Sequence, residues 1–289
     1  MTFMNAFPIR QLPSNKVGKD YVVGDLHGCF DLLNRLMEHV NFDESCDRLF
    51  SVGDLIDRGP DSIFCLGFLD EPWFYAVQGN HELMMLEPFL NYLNSGKVDD
   101  FDRIKNSGLF DFGGEWIEEH YQSRTKTMSA EFTHYLKKVL DLPVMLVVGE
   151  NENRFHVIHA ELVIPSHLNS KQFVWLDSDI DQWLEEKSIH KNIQDIIYWG
   201  RTIMTNPSIE LNNTKIQPGL STTFCGHTYS TRPRQVLSHL CLDTGGYLSL
   251  ESMGDRSIRG YALTLFDIQS SSWLSAAYGK TTFIEGIIT

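Results

Sequence analysis

The chain has 289 residues, 42% of them hydrophobic and 21% charged. That balance suits one large α/β domain or two small ones and excludes disordered, collagen-like and coiled-coil classes. Asp plus Glu number 38 against 24 Lys plus Arg, a formal net charge of −14, so neither a nucleic-acid backbone nor an anionic membrane surface is an expected partner.

In chain order, Asp20 to Gly24 (DYVVG) reads as a short buried strand. Leu32, Leu33, Leu36, Met37 and Val40 follow at helical spacing. Arg48 to Gly53 is a second strand, Ile63 to Leu69 a helix opening after Pro60 and Asp61, and Trp73 to Gln78 a third strand. Leu83 to Leu93 is a Leu/Met-rich helix. This alternation predicts parallel β-α-β units. Residues 94 to 140 read as a mostly helical insert with a break at Gly113 and Gly114. Val144 to Val148 and Phe155 to His159 read as strands, and the stretch from Pro165 to Asp195 as helical. Ile196 to Trp199, Thr222 to Cys225, Val236 to Leu242, Tyr247 to Leu250 and Tyr261 to Asp267 complete the expected strands. No repeat and no Pro/Ser-rich linker interrupts the chain, so residues 1–289 are read as one domain.

The five cysteines (Cys29, Cys46, Cys65, Cys225, Cys241) are odd in number and form no C-x-x-C pair. Reduced thiols and a cytoplasmic location are the expectation. The first twenty residues lack a signal-peptide pattern, and no stretch approaches the ~18 apolar residues of a membrane span. In that compartment the NNT sequence at Asn212 has no significance as a glycosylation acceptor. Cys29 and Cys225 adjoin polar motifs but read as small buried thiols. Trp73, Trp175, Trp183 and Trp199 read as packing groups.

Three blocks fall where a strand ends and a helix is about to start: GDLHGC (Gly24 to Cys29), GDLIDRGP (Gly53 to Pro60) and GNHE (Gly79 to Glu82). Loops at the carboxyl ends of parallel strands converge on one edge. Asp25, His27, Asp54, Asp57, Arg58, Asn80 and His81 should therefore meet. Their mixed N/O donors without thiolate suit Mn, Fe, Zn, Co or Ni. His159 in VIHAE and His227 in FCGHT also end strands. Together the set suffices for two cations ~3.5–4 Å apart, an arrangement suited to phosphoester hydrolysis. No packing rule calls for polar residues at three successive strand ends.

These blocks, with VIHA and CGHT, resemble the signature of the phosphoprotein phosphatase family of calcineurin-like metallophosphoesterases. Within it they are similar to the bacterial and phage lambda type of Ser/Thr protein phosphatase. The resemblance implies two packed mixed β-sheets flanked by helices, with a helical insert. It implies two divalent metal ions, taken as Mn2+ with Fe, Zn, Co or Ni as alternatives: Asp25 and His27 on the first, Asp54 bridging, Asn80, His159 and His227 on the second. It makes His81 the general acid, oriented by Asp57, and Arg58 the phosphate ligand, with Arg201 of YWGR a second arginine. Where the family reads RGNHE this chain has QGNHE, which puts Gln78 at a substrate position without charge or bidentate fork. Arg201 or Arg232 would then compensate.

The expected activity is hydrolysis of a phosphorylated protein (Ser/Thr, with Tyr also open) or a small phosphoester by water activated between two metals. A symmetrical diadenosine tetraphosphate hydrolase is the alternative. The resemblance associates those enzymes with GNHD and with loss of the DRG aspartate, whereas Asp57 and Glu82 are present here. A non-catalytic metal-binding scaffold ranks last, because every ligand and acid position is filled.

Overall fold

A computed structural model describes residues 8–164, 174–205, 215–251 and 260–288. The strands are β1 (Ile9–Leu12), β2 (Asp20–Val23), β3 (Arg48–Ser51), β4 (Phe74–Ala76), β5 (Tyr121–Gln122), β6 (Thr127–Met128), β7 (Met145–Val148), β8 (Phe155–Ile158), β9 (Thr222–Cys225), β10 (Arg234–Val236), β11 (His239–Cys241), β12 (Leu263–Asp267), β13 (Ser272–Ala276) and β14 (Ile284–Ile287). The helices are α1 (Phe30–His39), α2 (Ser62–Gly67), α3 (Asn80–Ser95), α4 (Phe101–Lys105), α5 (Gly108–Asp111), α6 (Ala130–Leu140), α7 (Asp177–Glu186), α8 (Lys191–Trp199), α9 (Thr202–Thr205) and α10 (Gly246–Glu251).

Two mixed six-stranded sheets carry the fold, one ordered β1-β7-β8-β9-β11-β10 and the other β14-β13-β12-β2-β3-β4. The strands β2, β3 and β4 run parallel, as do β8 and β9. Side-chain alternation explains why these short strands are hydrophobic throughout. In β2, Val22 joins a core between the two sheets while Tyr21 and Val23 face α1 and its neighbours. In β7, Leu146 and Val148 point into the same inter-sheet core, and Met145 and Val147 face the side covered by α7 and α8. Helices thus coat the outer face of each sheet, and the motif-bearing strand ends of both sheets open on one edge.

Two expected strands are helical. Ile196 to Trp199 is the last turn of α8, and Tyr247 to Leu250 lies in α10. Short apolar runs fit a buried strand and a buried helix equally well. In α8 the buried Gln194, Ile197 and Tyr198 fall on one helical face, a pattern that a four-residue window hides. The insert contains α4, α5, a 3-10 turn over Gly114–His120, the ribbon β5–β6 and α6, so it is less helical than expected. Asn212 lies outside the described residues. Among the described residues no helix is long and apolar enough to cross a membrane.

Candidate active site

Each motif loop leaves the carboxyl end of a parallel strand. Asp25 and His27 follow β2, Asp54, Asp57 and Arg58 follow β3, Asn80 and His81 open α3 after β4, His159 follows β8 and His227 follows β9. The turns are tight enough that His27, Asp54, Asp57, Arg58 and His227 all adopt positive φ, between 43° and 72°. For non-glycine residues this conformation is strained, and it persists only where neighbours over-determine it. Glu82 supplies part of that constraint. Its carboxylate accepts from the N–H groups of Asp54 (2.9 Å), Leu55 (2.7 Å) and Gly79 (2.8 Å). At Gly226 a side-chain carbon would overlap Asp25 Oδ1, so only glycine lets the β9 loop approach the β2 loop.

Asp54 is the hub. Its Oδ2 lies 3.5 Å from His27 Nε2, 3.5 Å from His159 Nε2 and 4.0 Å from His81 Nε2. His159 Nε2 also sits 2.7 Å from Asn80 Oδ1 and 3.1 Å from His227 Nδ1. The other nitrogens of two rings are already committed: His27 Nδ1 donates to the Ile56 carbonyl (2.8 Å) and His159 Nδ1 to the Val52 carbonyl (2.9 Å). Those bonds fix the tautomers and aim unprotonated Nε2 atoms at Asp54. His227 Nε2 is buried without a hydrogen-bond partner among the described residues. Lone pairs from Asp54, Asn80 and His159 therefore face one another with no proton between them, and His227 Nδ1 closes on His159 Nε2 beside them.

A cation resolves that arrangement, and the donor set fits divalent metals that take imidazole and carboxylate together. Among the described residues two groups have the needed closeness, His27–Asp54–His81 and Asp54–His159–His227, the ligand atoms within each lying within 4.8 Å of one another. Asp25 lies outside both groups. It is buried beside them, with Oδ2 3.0 Å and Oδ1 3.2 Å from the backbone N of His227.

Burial holds His27, His159 and His227 below the usual imidazole range, His227 down to about 3, so these rings are neutral and able to ligate. For Asp54, burial works against the charge, but the surrounding imidazoles, with His81 held charged and its backbone N–H donating to Oδ1 at 3.0 Å, keep the carboxyl below its usual range. His81 behaves differently. Burial opposes its charge, yet Asp54 and Asp57 prevail and its pKa is raised. Its Nδ1 is paired with Asp57 Oδ2 at 2.6 Å, which leaves Nε2 facing the cluster.

Arg58 stands at the mouth. Its Nη1 is 3.3 Å from His27 Nε2 and donates to the Tyr247 hydroxyl at 2.9 Å, with the guanidinium 4.8 Å from the Tyr247 ring centre. Arg201 Nη1 donates to the His227 carbonyl at 2.7 Å. It is set there by Glu161, which accepts from the Thr202 and Ile203 N–H groups, each at 2.7 Å.

Gln78 is engaged by the surrounding scaffold. It is buried with both ends of its amide in use: Nε2 donates to the Val139 carbonyl (3.0 Å), and Oε1 accepts from the Tyr198 hydroxyl (2.5 Å). It ties α8 to the end of α6. Cys29 and Cys225 are buried thiols, and burial pushes Cys29 up to about 12. Sequence reasoning missed Tyr247, Glu161 and Trp116, whose indole reaches Asp57. Glu82 and Glu161 stand inside motifs already singled out, but their acceptor roles depend on loops packed from elsewhere.

The family model for calcineurin-like phosphoesterases matches residues 21–230. Serine/threonine-protein phosphatase 2 of Salmonella typhimurium is 30% identical over 218 residues, covering 73% of this chain and 90% of that protein. Serine/threonine-protein phosphatase 1 of the same organism is 57% identical over 67 residues, only 23% of this chain and 31% of that protein. A crystal structure provisionally assigned as a diadenosine tetraphosphatase superposes with a TM-score of 0.53 at 17% identity, over 95% of this chain and 99% of that one. That last likeness is one of fold.

Proposed function

From the premise that the chain belongs to the calcineurin-like phosphoesterase family, and is thereby a metal-dependent phosphatase, we propose that it is a phosphomonoesterase acting on phosphoproteins, chiefly at Ser/Thr. The observation that carries the reading is the convergence of the Asp54, Asn80 and His159 lone pairs, with His227 against them, beside a His81–Asp57 pair whose remaining nitrogen faces them. We assign Asp25, His27 and Asp54 to one cation and Asp54, Asn80, His159 and His227 to a second, with Mn2+ the expected occupant of both. Bound divalent cations supply positive charge against phosphoryl oxygens and lower the pKa of water.

Arg58 and Arg201 bind the phosphoryl oxygens and hold the ester in line. The Tyr247 hydroxyl fixes the Arg58 fork. Water attacks phosphorus, the bond from phosphorus to the ester oxygen breaks, and the proton on His81 Nε2 passes to that leaving oxygen. The products are an alcohol and inorganic phosphate, and His81 is reprotonated from solvent. Asp57 keeps the imidazole oriented and supports its positive charge. We read residues 94–140 as an insert within one domain.

The test is one parallel assay. Chelator-stripped protein is given Mn2+ and then p-nitrophenyl phosphate, a phosphoserine peptide, a phosphotyrosine peptide or diadenosine tetraphosphate. Metal-dependent phosphate release from the phosphoserine peptide is expected. Preferential dinucleotide cleavage would replace this reading with the tetraphosphatase one, and no turnover of any substrate would leave a metal-binding scaffold.

A further inference from the structure

The insert reaches into the site through one short stretch. Trp116, in the 3-10 turn Gly114–His120, donates from its indole Nε1 to Asp57 Oδ1 at 2.8 Å. The other oxygen of the same carboxylate takes His81 Nδ1 at 2.6 Å. Asp57 is fully buried, so the bond exchanges with little water. The Trp116 ring is held in turn by His120 and Phe132, with centroids 5.8 Å and 5.9 Å away. Just upstream, Gly113 has φ of 100° and packs so closely that a side-chain carbon would overlap the Arg58 backbone N. Phe112 meets the His81 ring edge-on at 6.4 Å. Residues 112–116 therefore touch Arg58, Asp57 and His81 at once.

We propose that Trp116 is a positioning residue for His81, acting through Asp57; this rests on the phosphatase reading above. A carboxylate is free to pivot about its terminal torsion, whose energy wells are broad. A donor on one oxygen leaves that pivot. Separate donors on both oxygens, from elements far apart in sequence, fix the plane. With the plane fixed, His81 Nδ1 has one direction for its bond, and Nε2 is held towards the leaving oxygen. The insert is thereby part of the proton-delivery apparatus.

Proton delivery matters in proportion to the basicity of the leaving group. A serine alkoxide needs the proton, and p-nitrophenolate scarcely does. Two variants remove the indole N–H: Trp116→Phe, and Trp116 replaced by 3-benzothienylalanine, which keeps the bicyclic shape and so covers the case in which the phenylalanine variant folds poorly. With Mn2+, kcat on the phosphoserine peptide is expected to fall about tenfold or more, while kcat on p-nitrophenyl phosphate falls less than about threefold and KM stays within about twofold. In a His81→Asn background Trp116→Phe should add no further loss. Independently of turnover, the downfield Nδ1–H proton resonance of His81 in metal-free protein should shift and broaden in both variants.

Equal losses on both substrates, an additive loss in the His81→Asn background or an unmoved resonance would overturn the proposal. Wild-type protein that hydrolyses neither substrate would instead overturn the phosphatase reading, and the resonance would still decide whether Trp116 positions His81.

Discussion

Two histidines three residues apart, His156 and His159, are both fully buried and both held below the usual imidazole range. Their surroundings differ. His156 Nε2 accepts from Arg154 Nε at 3.0 Å and Nδ1 pairs with Thr223 Oγ1 at 3.2 Å. A second pair repeats the contrast. His239 accepts from the Leu162 N–H at 3.0 Å and donates to the Leu237 carbonyl at 2.9 Å, whereas His227 crowds His159 and leaves Nε2 without a good bond. Burial and a depressed pKa thus do not separate a structural histidine from a proposed ligand. What separates them is whether each acceptor meets a donor or another acceptor.

The comparison can be broken most severely at Asp54, which belongs to both ligand groups. Asp54→Asn should lower Mn2+-dependent turnover by roughly a thousandfold or more while the fold survives by circular dichroism. Full activity in that variant would dissolve the distinction drawn here. Next in size is metal-linked stability. At Mn2+ near 100 times its Kd, wild-type protein should gain about 3 kcal/mol and a higher Tm. His159→Ala and His227→Ala should lose that gain, and His156→Gln and His239→Gln should keep it.

The structural pair should declare itself through pH. Burial lowers His239 to about 4, so between that value and about 6.5 the unfolded chain binds the extra proton. Its contribution, up to about 3 kcal/mol, is present above pH 6.5 and lost as pH falls through 4. Urea unfolding of metal-free protein should follow that slope, and His239→Gln should flatten it. A slope unchanged in the variant would remove His239 from the structural class. The smallest effect concerns the tie beneath the site. Tyr198→Phe strands Gln78 Oε1 and should cost about 1–3 kcal/mol of stability, with turnover unchanged within about twofold.

Much of this site was legible because its residues are local to strand ends. GDLHGC, GDLIDRGP and GNHE follow β2, β3 and β4, and parallel strands bring such loops together whatever lies between them. His159 and His227 were legible for the same reason in the other sheet. Gln78 was not, because the direction of its side chain is set by Val139 and Tyr198, which lie 61 and 120 residues further on. Trp116 is similar: nothing in the sequence marks it until the Gly113–Gly114 break is seen folded against Arg58. Tyr247 was lost in a run read as strand, and only its place in α10 turns the hydroxyl towards Arg58.

The position of β2 has a consequence for how the chain is made. It pairs on one side with β3, but its other neighbour is β12, in register Leu265↔Val23. Until residue 263 leaves the ribosome, a strand that is apolar on both faces presents an open edge in what becomes the middle of a sheet. Such edges attract wrong partners, and pairings this distant in sequence form slowly. Synthesis is therefore the interval of greatest exposure to aggregation. All the assigned ligands lie before residue 228, so a chain cut after residue 251 would keep every one of them and lose the neighbour that closes the sheet carrying Asp25, His27, Asp54 and Asn80.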